Sequence, residues 1–311
     1  MTKSAKAFAP AAISSFFEIR DTQDGKPIAD LEKVGAIGGG FGLERGVTTT
    51  VTAKEAEKNV INVFINSKPA LKAKTTKQVV ETLLGKTATK YAVTVEHQIE
   101  VPIGTGFGTS AGGALTVGLA LREAIGLPLT YNQIGKIAHI AEIQCLTGLG
   151  TVSSLTFSGG CVLVVEPGAP GVCQIDRIPI SPEYMVVAGF FKSKISKDSV
   201  LSSQQKKKEI NNYGKKTLEA ILAAPTLENF LDCCWDFSQK AEFATEKIRQ
   251  LVESAKKTGA VGAAQNMIGE AVHAIVHEKN VNSVAEAFKQ TLPQQQVIVS
   301  KIDFQGARLI K

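Results

Sequence analysis

The sequence predicts an α+β protein made of two domains. Its 311 residues are more than one domain of ordinary size needs, and length alone suggests about two. In the first half, runs that alternate between apolar and polar residues, such as 91–101, predict strands that are separated by glycine-rich segments and helices. The second half is a strand, several helices and two closing strands, which is typical of an α+β domain. We place the boundary at Ser181-Pro182, so the predicted domains are residues 1–181 and 182–311.

Periodicity and turn residues predict the elements of the first half. Thr130 and Gln133 form a capping box that marks one helix start. The predicted elements are a strand over 6–20, a glycine-rich loop over 35–42, strands over 43–51 and 60–65, a helix over 75–84, a strand over 91–101, helices over 114–125 and 131–145, a Gly/Ser/Thr loop over 146–154, and strands over 159–166 and 174–180.

The second half has fewer glycines and more helical stretches. Thr226 is a predicted N-cap. The predicted elements are a strand over 185–191, helices over 199–224, 226–238 and 240–257, a small-residue loop over 258–269, helices over 271–277 and 284–290, and strands over 296–302 and 306–310.

The segment Pro102–Gly113 is the most informative part of the chain. It joins the strand over 91–101 to a helix, and it contains five glycines and the pair Thr109-Ser110. Glycine allows a ligand to approach the main chain closely, and a helix N-terminus has unpaired N–H groups and partial positive charge. The segment therefore predicts an anion site of the kind that binds phosphate.

Two common phosphate loops do not match this segment. A Walker loop requires Lys directly before Ser or Thr, whereas Gly108 precedes Thr109. The dinucleotide fingerprint requires an acidic residue about twenty positions later, where this chain has Gly126-Leu127-Pro128. A glycine-rich turn that only joins strand to helix is the simpler alternative.

A metal ion is expected with a bound nucleotide, because Mg²⁺ is held by hydroxyl and carboxylate oxygens together with phosphate. Glu142 lies on the next helix and would act with Ser110. His139 shares the face of Glu142, since the two residues are three positions apart. An exposed helix acid and a buried structural histidine are the ordinary alternatives for this pair.

Composition excludes several classes of protein. No apolar run reaches 18 residues, so no membrane segment is expected, and Met1–Phe17 lacks the features of a signal peptide. The net charge of +6 is dispersed, and Lys206–Lys208 is not interleaved with aromatic residues, so no nucleic-acid partner is predicted. Five cysteines without a CxxC motif predict reduced thiols and a cytoplasmic protein. A homodimer is left open.

With these segments in order, the chain resembles the GHMP small-molecule kinases, named for galacto-, homoserine, mevalonate and phosphomevalonate kinases. The family motif P-x-G-x-G-L-G-S-S-A reads PIGTGFGTSA at 102–111 and departs only at Phe107 and Thr109. Within the family, the segments 7–17, 38–48, 139–150 and 262–272 look like those of archaeal members that phosphorylate pantoate.

The resemblance implies a two-domain GHMP kinase fold with ATP and substrate in the cleft between the domains. It implies that Ser110 and Glu142 bind Mg²⁺ and that residues 259–264 pack against the phosphate loop. The residues expected to bind ATP are Pro102, Gly104, Gly106, Gly108, Thr109, Ser110, Ala111, Gly112, Gly262 and Ala263.

The implied reaction is transfer of the ATP γ-phosphate to the primary hydroxyl of pantoate, a step towards coenzyme A. The substrate is expected to contact Ser14, Ser15, Gly39, Arg45 and Ser196. Its carboxylate needs a cation, for which Arg45, Lys192 and Lys194 are candidates. The residues expected nearest the chemistry are Thr151, His139 and Lys194.

Thr151 stands where many members of the family have an Asp that can take the hydroxyl proton. A threonine hydroxyl is too weakly acidic to act as a general base, so Thr151 is expected to be a substrate-side residue. Two other functions stay open: a GHMP-fold kinase of another small alcohol (a mevalonate derivative, homoserine or shikimate), and a catalytically silent nucleotide-binding regulator.

Overall fold

The structure is a computed structural model that describes residues 2–157, 159–192 and 204–311. The strands are β1 (Thr2–Arg20), β2 (Thr22–Gln23), β3 (Lys26–Pro27), β4 (Gly35–Glu55), β5 (Val60–Ile65), β6 (Lys68–Pro69), β7 (Tyr91–Ile99), β8 (Cys161–Glu166), β9 (Gln174–Ile178), β10 (Tyr184–Phe190), β11 (Gly262–Gln265), β12 (Ala271–His277), β13 (Val297–Lys301) and β14 (Arg308–Ile310). The α-helices are α1 (Lys74–Leu84), α2 (Thr109–Ile125), α3 (Tyr131–Gln144), α4 (Thr151–Phe157), α5 (Gln204–Ala223), α6 (Leu227–Lys240), α7 (Glu246–Lys257) and α8 (Val281–Lys289).

Within the described ranges, the larger sheet has eight strands and is built on the long antiparallel pair β1 and β4. The order is β14-β1-β4-β7-β5-β6, and β8 pairs with the first part of β4 and carries β9 on its other edge. Strand β5 runs parallel to β7. Apolar residues of α1, α2 and α3 share one buried core with β1, β4 and β7, so the helices cover this sheet.

The glycine-rich segment 35–42 is part of β4, so the prediction of a loop there is wrong. Gly40 pairs with Ser14 of β1, and a Cβ at position 40 would overlap the carbonyl oxygen of Ile13. A register shift in β1 lies between Ser14 and Phe16, where Ser15 is the extra residue of a β-bulge. Glycine at this position permits a close approach of two strands, a use that composition does not distinguish from a turn.

The smaller sheet has the order β11-β12-β10-β13 and is antiparallel. The helix predicted over 271–277 is wrong, because this segment is the inner strand β12. Its residues are almost all buried, and only His273 and His277 interrupt the apolar run, so periodicity does not separate a strand from a helix here. The helices α7 and α8 share a buried core with this sheet.

Two predicted boundaries also differ from the structure. The loop over 146–154 contains the first residues of α4, which begins at Thr151. The helix predicted over 240–257 is interrupted, because α6 ends at Lys240 and α7 begins only after Thr245, whose side chain accepts a hydrogen bond from the backbone N–H of Ile248. Thr245 is therefore an N-cap inside the stretch predicted to be one helix.

The two sheets are joined by a shared apolar core. It includes Phe16 and Phe41 from the first sheet, Val186 from the second sheet, and Phe230 and Phe237 from α6. The chain passes from one sheet to the other between Ile178 and Tyr184, near the predicted boundary at 181/182. Strand β14 then returns to the first sheet and pairs with β1, so the C-terminal residues belong to the fold of the first half.

Candidate active site

The loop before α2 has the backbone of an anion site. Gly104 and Gly106 both have φ of +84°, and Gly108, the N-cap of α2, has φ of +59°. No side chain caps this helix, so the N–H groups of its first turn have no partner within the helix. A row of left-handed glycines followed by such a helix start can surround a phosphate with N–H donors.

The first turn of α2 shows which predicted ATP residues can donate. The helix starts at Thr109, five positions before the predicted start at Ala114, so Thr109, Ser110 and Ala111 lie in the turn with unpaired N–H groups. The N–H of Gly112 already donates to the carbonyl oxygen of Gly108, at 3.0 Å. Gly112 is therefore not available as a backbone donor, and its missing side chain instead lets α2 lie close to Val47.

Strand β1 holds the loop from one side. The backbone N–H of Ala12 donates to the carbonyl oxygen of Phe107, at 3.1 Å, and the Phe107 side chain is buried in the core shared by the two sheets. A Cβ at Gly108 would stand 2.9 Å from Ala12 Cβ and 3.0 Å from Thr151 Cγ2. The loop is thus fixed between β1 and the start of α4.

The turn between β11 and β12 holds the loop from the other side. A Cβ at Gly106 would stand 3.0 Å from Asn266 Cβ, and a Cβ at Gly269 would stand 2.8 Å from the carbonyl oxygen of Thr105. The backbone N–H of Met267 donates to the carbonyl oxygen of Ser14, at 2.8 Å. The loop before α2 and the turn between β11 and β12 therefore contact the same part of β1, at Ala12 and at Ser14.

Residues 259–264 were expected to pack against the phosphate loop, and these contacts place other residues there. Gly262 faces Leu231 of α6, Gly259 faces Asn280, and Ala263 is fully buried in the core of the second sheet. The residues against the loop are Asn266 and Gly269, a few positions later. Gly262 and Ala263 consequently support the turn and lie in strand β11 rather than at the phosphate loop.

Glu142 and Ser110 approach each other through Thr147. The Thr147 hydroxyl donates to Glu142 Oε1, at 2.8 Å, and Glu142 is 3% exposed. Ser110 and Thr147 line one cavity beside the start of α2, so Thr147 links Glu142 to the cavity that Ser110 lines. A Cβ at Gly148 would overlap Glu142 Oε2, which shows how closely the turn after α3 packs on this carboxylate.

A cavity of about 230 Å³ opens beside the start of α2. Apolar side chains contribute part of its wall, and Lys72 and Lys74 stand at one side. It is lined by Ile65, Lys72, Ala73, Lys74, Thr75, Thr76, His97, Ile99, Ile103, Thr109, Ser110, Gly113, Cys145 and Thr147. The cavity combines an apolar region, cations and hydroxyls next to an anion site, which is the mixture that a nucleotide requires.

His97 at the wall of this cavity belongs to a hydrogen-bond chain of fixed direction. Thr116 donates to the carbonyl oxygens of Gly112 and Gly113, so it accepts from Thr49. Thr49 then accepts from His97 Nδ1, at 2.7 Å, and Thr76 donates to His97 Nε2, at 3.0 Å. Burial lowers the pKa of His97 to about 4, so the ring is neutral at pH 7.

His139 has the surroundings of a structural residue. It is buried, its Nε2 donates to the carbonyl oxygen of Val34 at 2.9 Å, and burial lowers its pKa. This bond ties α3 to the segment before β4. The expectation that His139 acts in the chemistry is not supported by this position, because its ring is engaged with the main chain in the interior.

The predicted substrate residues are dispersed. Ser14 is half-buried, whereas Ser15 is fully buried and hydrogen-bonded to His273 in the core, so its hydroxyl is not open to a substrate. Gly39 lies within β4, where the missing side chain makes room for Phe16 and Leu163. Arg45 is exposed, and its backbone N–H donates to Ser300 Oγ of β13.

The remaining site candidates are Lys192, Lys194, Ser196 and Thr151. Lys192 is exposed after the end of β10. Lys194 and Ser196 lie outside the described residues. Thr151 begins α4 and contacts the loop at Gly108 through its methyl group. It is thus beside the start of α2, at the place where the resemblance puts an Asp.

Sequence reasoning missed four groups that the fold brings to the site: Asn266 and Gly269 in the turn, and Lys72 and Lys74 before and at the start of α1. The pattern Lys-Ala-Lys-Thr-Thr at 72–76, two cations at a helix start, was an available signal for the lysines. Asn266 had no such signal, because its position depends on the turn between two strands, one of which was predicted as a helix.

Other features of the described residues bear on the predicted class. A larger cavity, about 630 Å³, is lined by residues of α4, β8 and β9 and by Phe304, and none of the predicted site residues lines it.

All five cysteines are free thiols, as expected. None of the helices in the described ranges combines the length and hydropathy that a bilayer crossing requires. The same ranges contain no cluster of three or more His, Cys, Asp or Glu side chains that would form a metal centre.

Comparisons with known proteins agree with this geometry. The GHMP kinases N terminal domain matches residues 74–159. The chain is 30% identical to the pantoate kinase of Methanocaldococcus jannaschii over 92% of this chain and 97% of that protein, and 29% identical to the pantoate kinase of Thermococcus kodakarensis over 92% and 91%. A solved structure described as a phosphotransferase related to the CoA biosynthesis pathway superposes with a TM-score of 0.86, at 26% identity over 99% and 98% of the two chains.

Proposed function

The chain belongs to the pantoate kinase family of the GHMP kinases, and on that premise we propose that it transfers the γ-phosphoryl group of ATP to the primary hydroxyl of pantoate. The product is 4-phosphopantoate, an intermediate on the way to coenzyme A. The observation that carries the proposal is the loop Pro102–Gly108 with its left-handed glycines and the uncapped start of α2, held between β1 and the turn at 266–269.

The triphosphate of ATP is proposed to lie on this loop. Gly104, Gly106 and Gly108 and the first turn of α2 supply N–H donors, and the positive end of the helix dipole stabilises the phosphate charge. The nucleoside is proposed to enter the adjacent cavity of about 230 Å³, where Ile65, Ile99 and Ile103 offer apolar surface. Lys72 and Lys74 add positive charge at the same cavity, which favours an anionic ligand.

We propose that Mg²⁺ is held by Ser110 and Glu142 together with phosphate oxygens and water. Magnesium is commonly bound in proteins by one or two carboxylates plus substrate phosphates, and this donor set matches that preference. The contact of Thr147 with Glu142 Oε1 orients the carboxylate. The ion, when bound, would neutralise charge on the transferred phosphoryl group.

The acceptor hydroxyl is proposed to reach the γ-phosphate from the side of β1 and α4. Ser14, which is half-buried, and Thr151, which lies beside Gly108, are proposed to line this approach, and the pantoate carboxylate is proposed to pair with Arg45, Lys192 or Lys194. In the transfer, the hydroxyl oxygen forms a bond to the γ-phosphorus as the bond to the β–γ bridging oxygen breaks, ADP leaves, and the hydroxyl proton is released to water. Phosphoryl transfer passes through a loose transition state, so alignment and charge neutralisation contribute more than a strong base, which Thr151 is not.

Release of ADP against a panel of hydroxy acids tests the proposal. We expect Mg²⁺-dependent turnover with pantoate and much slower turnover with mevalonate, homoserine and shikimate. Turnover with another alcohol but not with pantoate would assign a different substrate to the same fold. Binding of ATP without turnover of any acceptor would instead identify a nucleotide-binding regulator.

A homodimer and a cytoplasmic location are proposals that rest on composition and on the family. Light scattering on the purified protein measures its mass directly. Fractionation of cells that express the protein tests the location.

A further inference from the structure

A buried chain of polar side chains runs from β1 to the phosphate loop. Ser15 Oγ lies 3.0 Å from His273 Nε2, and His273 Nδ1 lies 2.9 Å from Asn266 Oδ1. The three residues come from the bulge in β1, from β12, and from the turn that packs on Gly106. All three are fully buried, so an arrangement that formally matches nucleophile, base and orienting residue is closed to any substrate.

The direction of the hydrogen bonds in this chain follows from the amide of Asn266. As Oδ1 can only accept, His273 Nδ1 carries the proton and Nε2 accepts from the Ser15 hydroxyl. Complete burial lowers the pKa of His273 to about 3, so the ring is neutral at physiological pH and keeps one donor and one acceptor. The chain is therefore ordered from Ser15 to Asn266.

The last donor of the chain has no partner. Among the described residues, Asn266 Nδ2 is one of three buried side-chain polar atoms without a hydrogen bond, although Asn266 is 0% exposed. A buried amide N–H without a partner is costly, and such a group in a native protein calls for an explanation. The Asn266 Cβ lies against Gly106, in the middle of the loop proposed to hold the triphosphate.

From this we infer that His273, with Ser15 fixing the far side of its ring, is a positioning residue that orients Asn266 under the phosphate loop, and that the free N–H of Asn266 donates to the backbone of this loop when the anionic nucleotide is bound. Asn266 is the residue that adapts the loop to the triphosphate, through the donor that this arrangement leaves available. The inference rests on the proposed ATP site but not on the identity of the acceptor alcohol.

Asn266→Asp is the direct test. The substitution keeps the acceptor for His273 and the shape of the side chain, and it replaces the N–H by a carboxylate oxygen. Because hydrogen bonds to charged groups are stronger than neutral ones, we expect the Kd for ATP with Mg²⁺ to rise by at least about tenfold in isothermal titration calorimetry. An unchanged Kd in a variant that is folded by circular dichroism would overturn the inference.

A matched pair at position 273 separates positioning from stability. His273→Asn places an amide where Nδ1 was and retains the contact with Asn266, whereas His273→Gln places one where Nε2 was and retains the contact with Ser15. Both variants leave one buried partner unpaired, so we expect similar losses of stability in urea unfolding. We expect only His273→Gln to weaken ATP binding, by about tenfold, with His273→Asn within about threefold of the wild type.

The outcomes distinguish this inference from the proposed function. A wild-type protein that does not bind ATP with Mg²⁺ would defeat both. ATP binding that is equally strong, or equally weak, in the two His273 variants would defeat this inference alone. Recovery of ATP binding by the Asn266→Asp variant at high Mg²⁺ concentration would also count against it. The weaker binding would then result from the added net charge rather than from a missing donor.

Discussion

Two glycine-rich segments of this chain look alike in sequence and differ entirely in structure. Residues 35–42 form the start of the long strand β4, whereas residues 102–108 form an irregular loop. In the first segment glycine removes a side chain so that β1 can approach, and Gly40 lies over the carbonyl oxygen of Ile13. In the second, glycine supplies the positive φ of a ligand loop. The first segment serves the fold, and the second is proposed to serve a ligand.

The largest expected effect is a loss of stability caused by a substitution in residues 35–42. Gly40→Ala would force a Cβ onto the Ile13 carbonyl oxygen in the middle of two paired strands, where neither backbone can move without loss of pairing. We expect the free energy of unfolding to fall by about 3 kcal/mol or more, measured by urea denaturation. Gly85→Ala is the control, since its φ is ordinary and the nearest atoms are 3.4 Å away. Equal stability of the two variants would break the comparison.

In residues 102–108, Gly106→Ala is expected to affect nucleotide binding more than stability. Its φ of +84° strains an alanine by about 1–2 kcal/mol, and the new Cβ would push the loop away from Asn266. Gly126→Ala, at the C-cap of α2 with φ of +71° and open space around it, carries the strain alone. We expect the two to be similarly destabilised in thermal unfolding, with the Kd for ATP raised about tenfold only in Gly106→Ala.

Substitution of Glu142, the proposed Mg²⁺ ligand, is expected to have a smaller effect that is specific to the metal ion. Glu142→Gln retains the shape and an acceptor for Thr147 but loses the charge that a divalent ion requires. We expect a shift of the Mg²⁺ titration of ADP release to about tenfold higher concentration, with a Tm close to that of the wild type. The control is Glu123→Gln on exposed α2 surface. Identical Mg²⁺ titrations for all three proteins would remove Glu142 from the site.

The last effect is confined to pH values below 6.5 and concerns His97, which lines the cavity and is buried like a core residue. Its pKa falls from 6.5 in the unfolded chain to about 4 in the fold, so the unfolded state takes up the proton first as pH falls. The stability from the neutral ring is complete above pH 6.5 and is lost between about 6.5 and 4. His97→Asn is expected to flatten the pH dependence of unfolding in this window by up to about 1.4 kcal/mol per pH unit. A slope like that of the wild type would contradict the burial argument.

The sequence was sufficient for the half of the site that depends on neighbouring residues. The strand, the glycine loop and the helix at 91–125 follow each other in the chain, so their type and the backbone conformation of a candidate anion site were predictable from local pattern. The α+β class was also confirmed. The start of α2 was predicted five residues late, because Thr109–Gly113 has the composition of a loop although it is helical.

The other half of the site depends on pairing across the chain. Asn266 is placed by the strands β11 and β12, and Ser15 by a bulge in β1, and neither pairing leaves a local signal. The segment 271–277 is apolar at nearly every position, so the choice between helix and strand was made by its neighbours in the second sheet. Residues 259–264 were expected to pack against the phosphate loop, whereas the contacting positions are Asn266 and Gly269, for the same reason.

The return of β14 to the first sheet has a mechanical consequence. The second sheet and its helices are joined to the first sheet by two covalent crossings, one between Ile178 and Tyr184 and one between Lys301 and Arg308. The two crossings, the shared apolar core and the hydrogen bond from the N–H of Met267 to the carbonyl oxygen of Ser14 together restrict any swing of the second sheet against the first. The Ser15–His273 contact lies between the two sheets, so any such swing would change the distance that this bond spans. We expect such a displacement to reach the phosphate loop through His273 and Asn266.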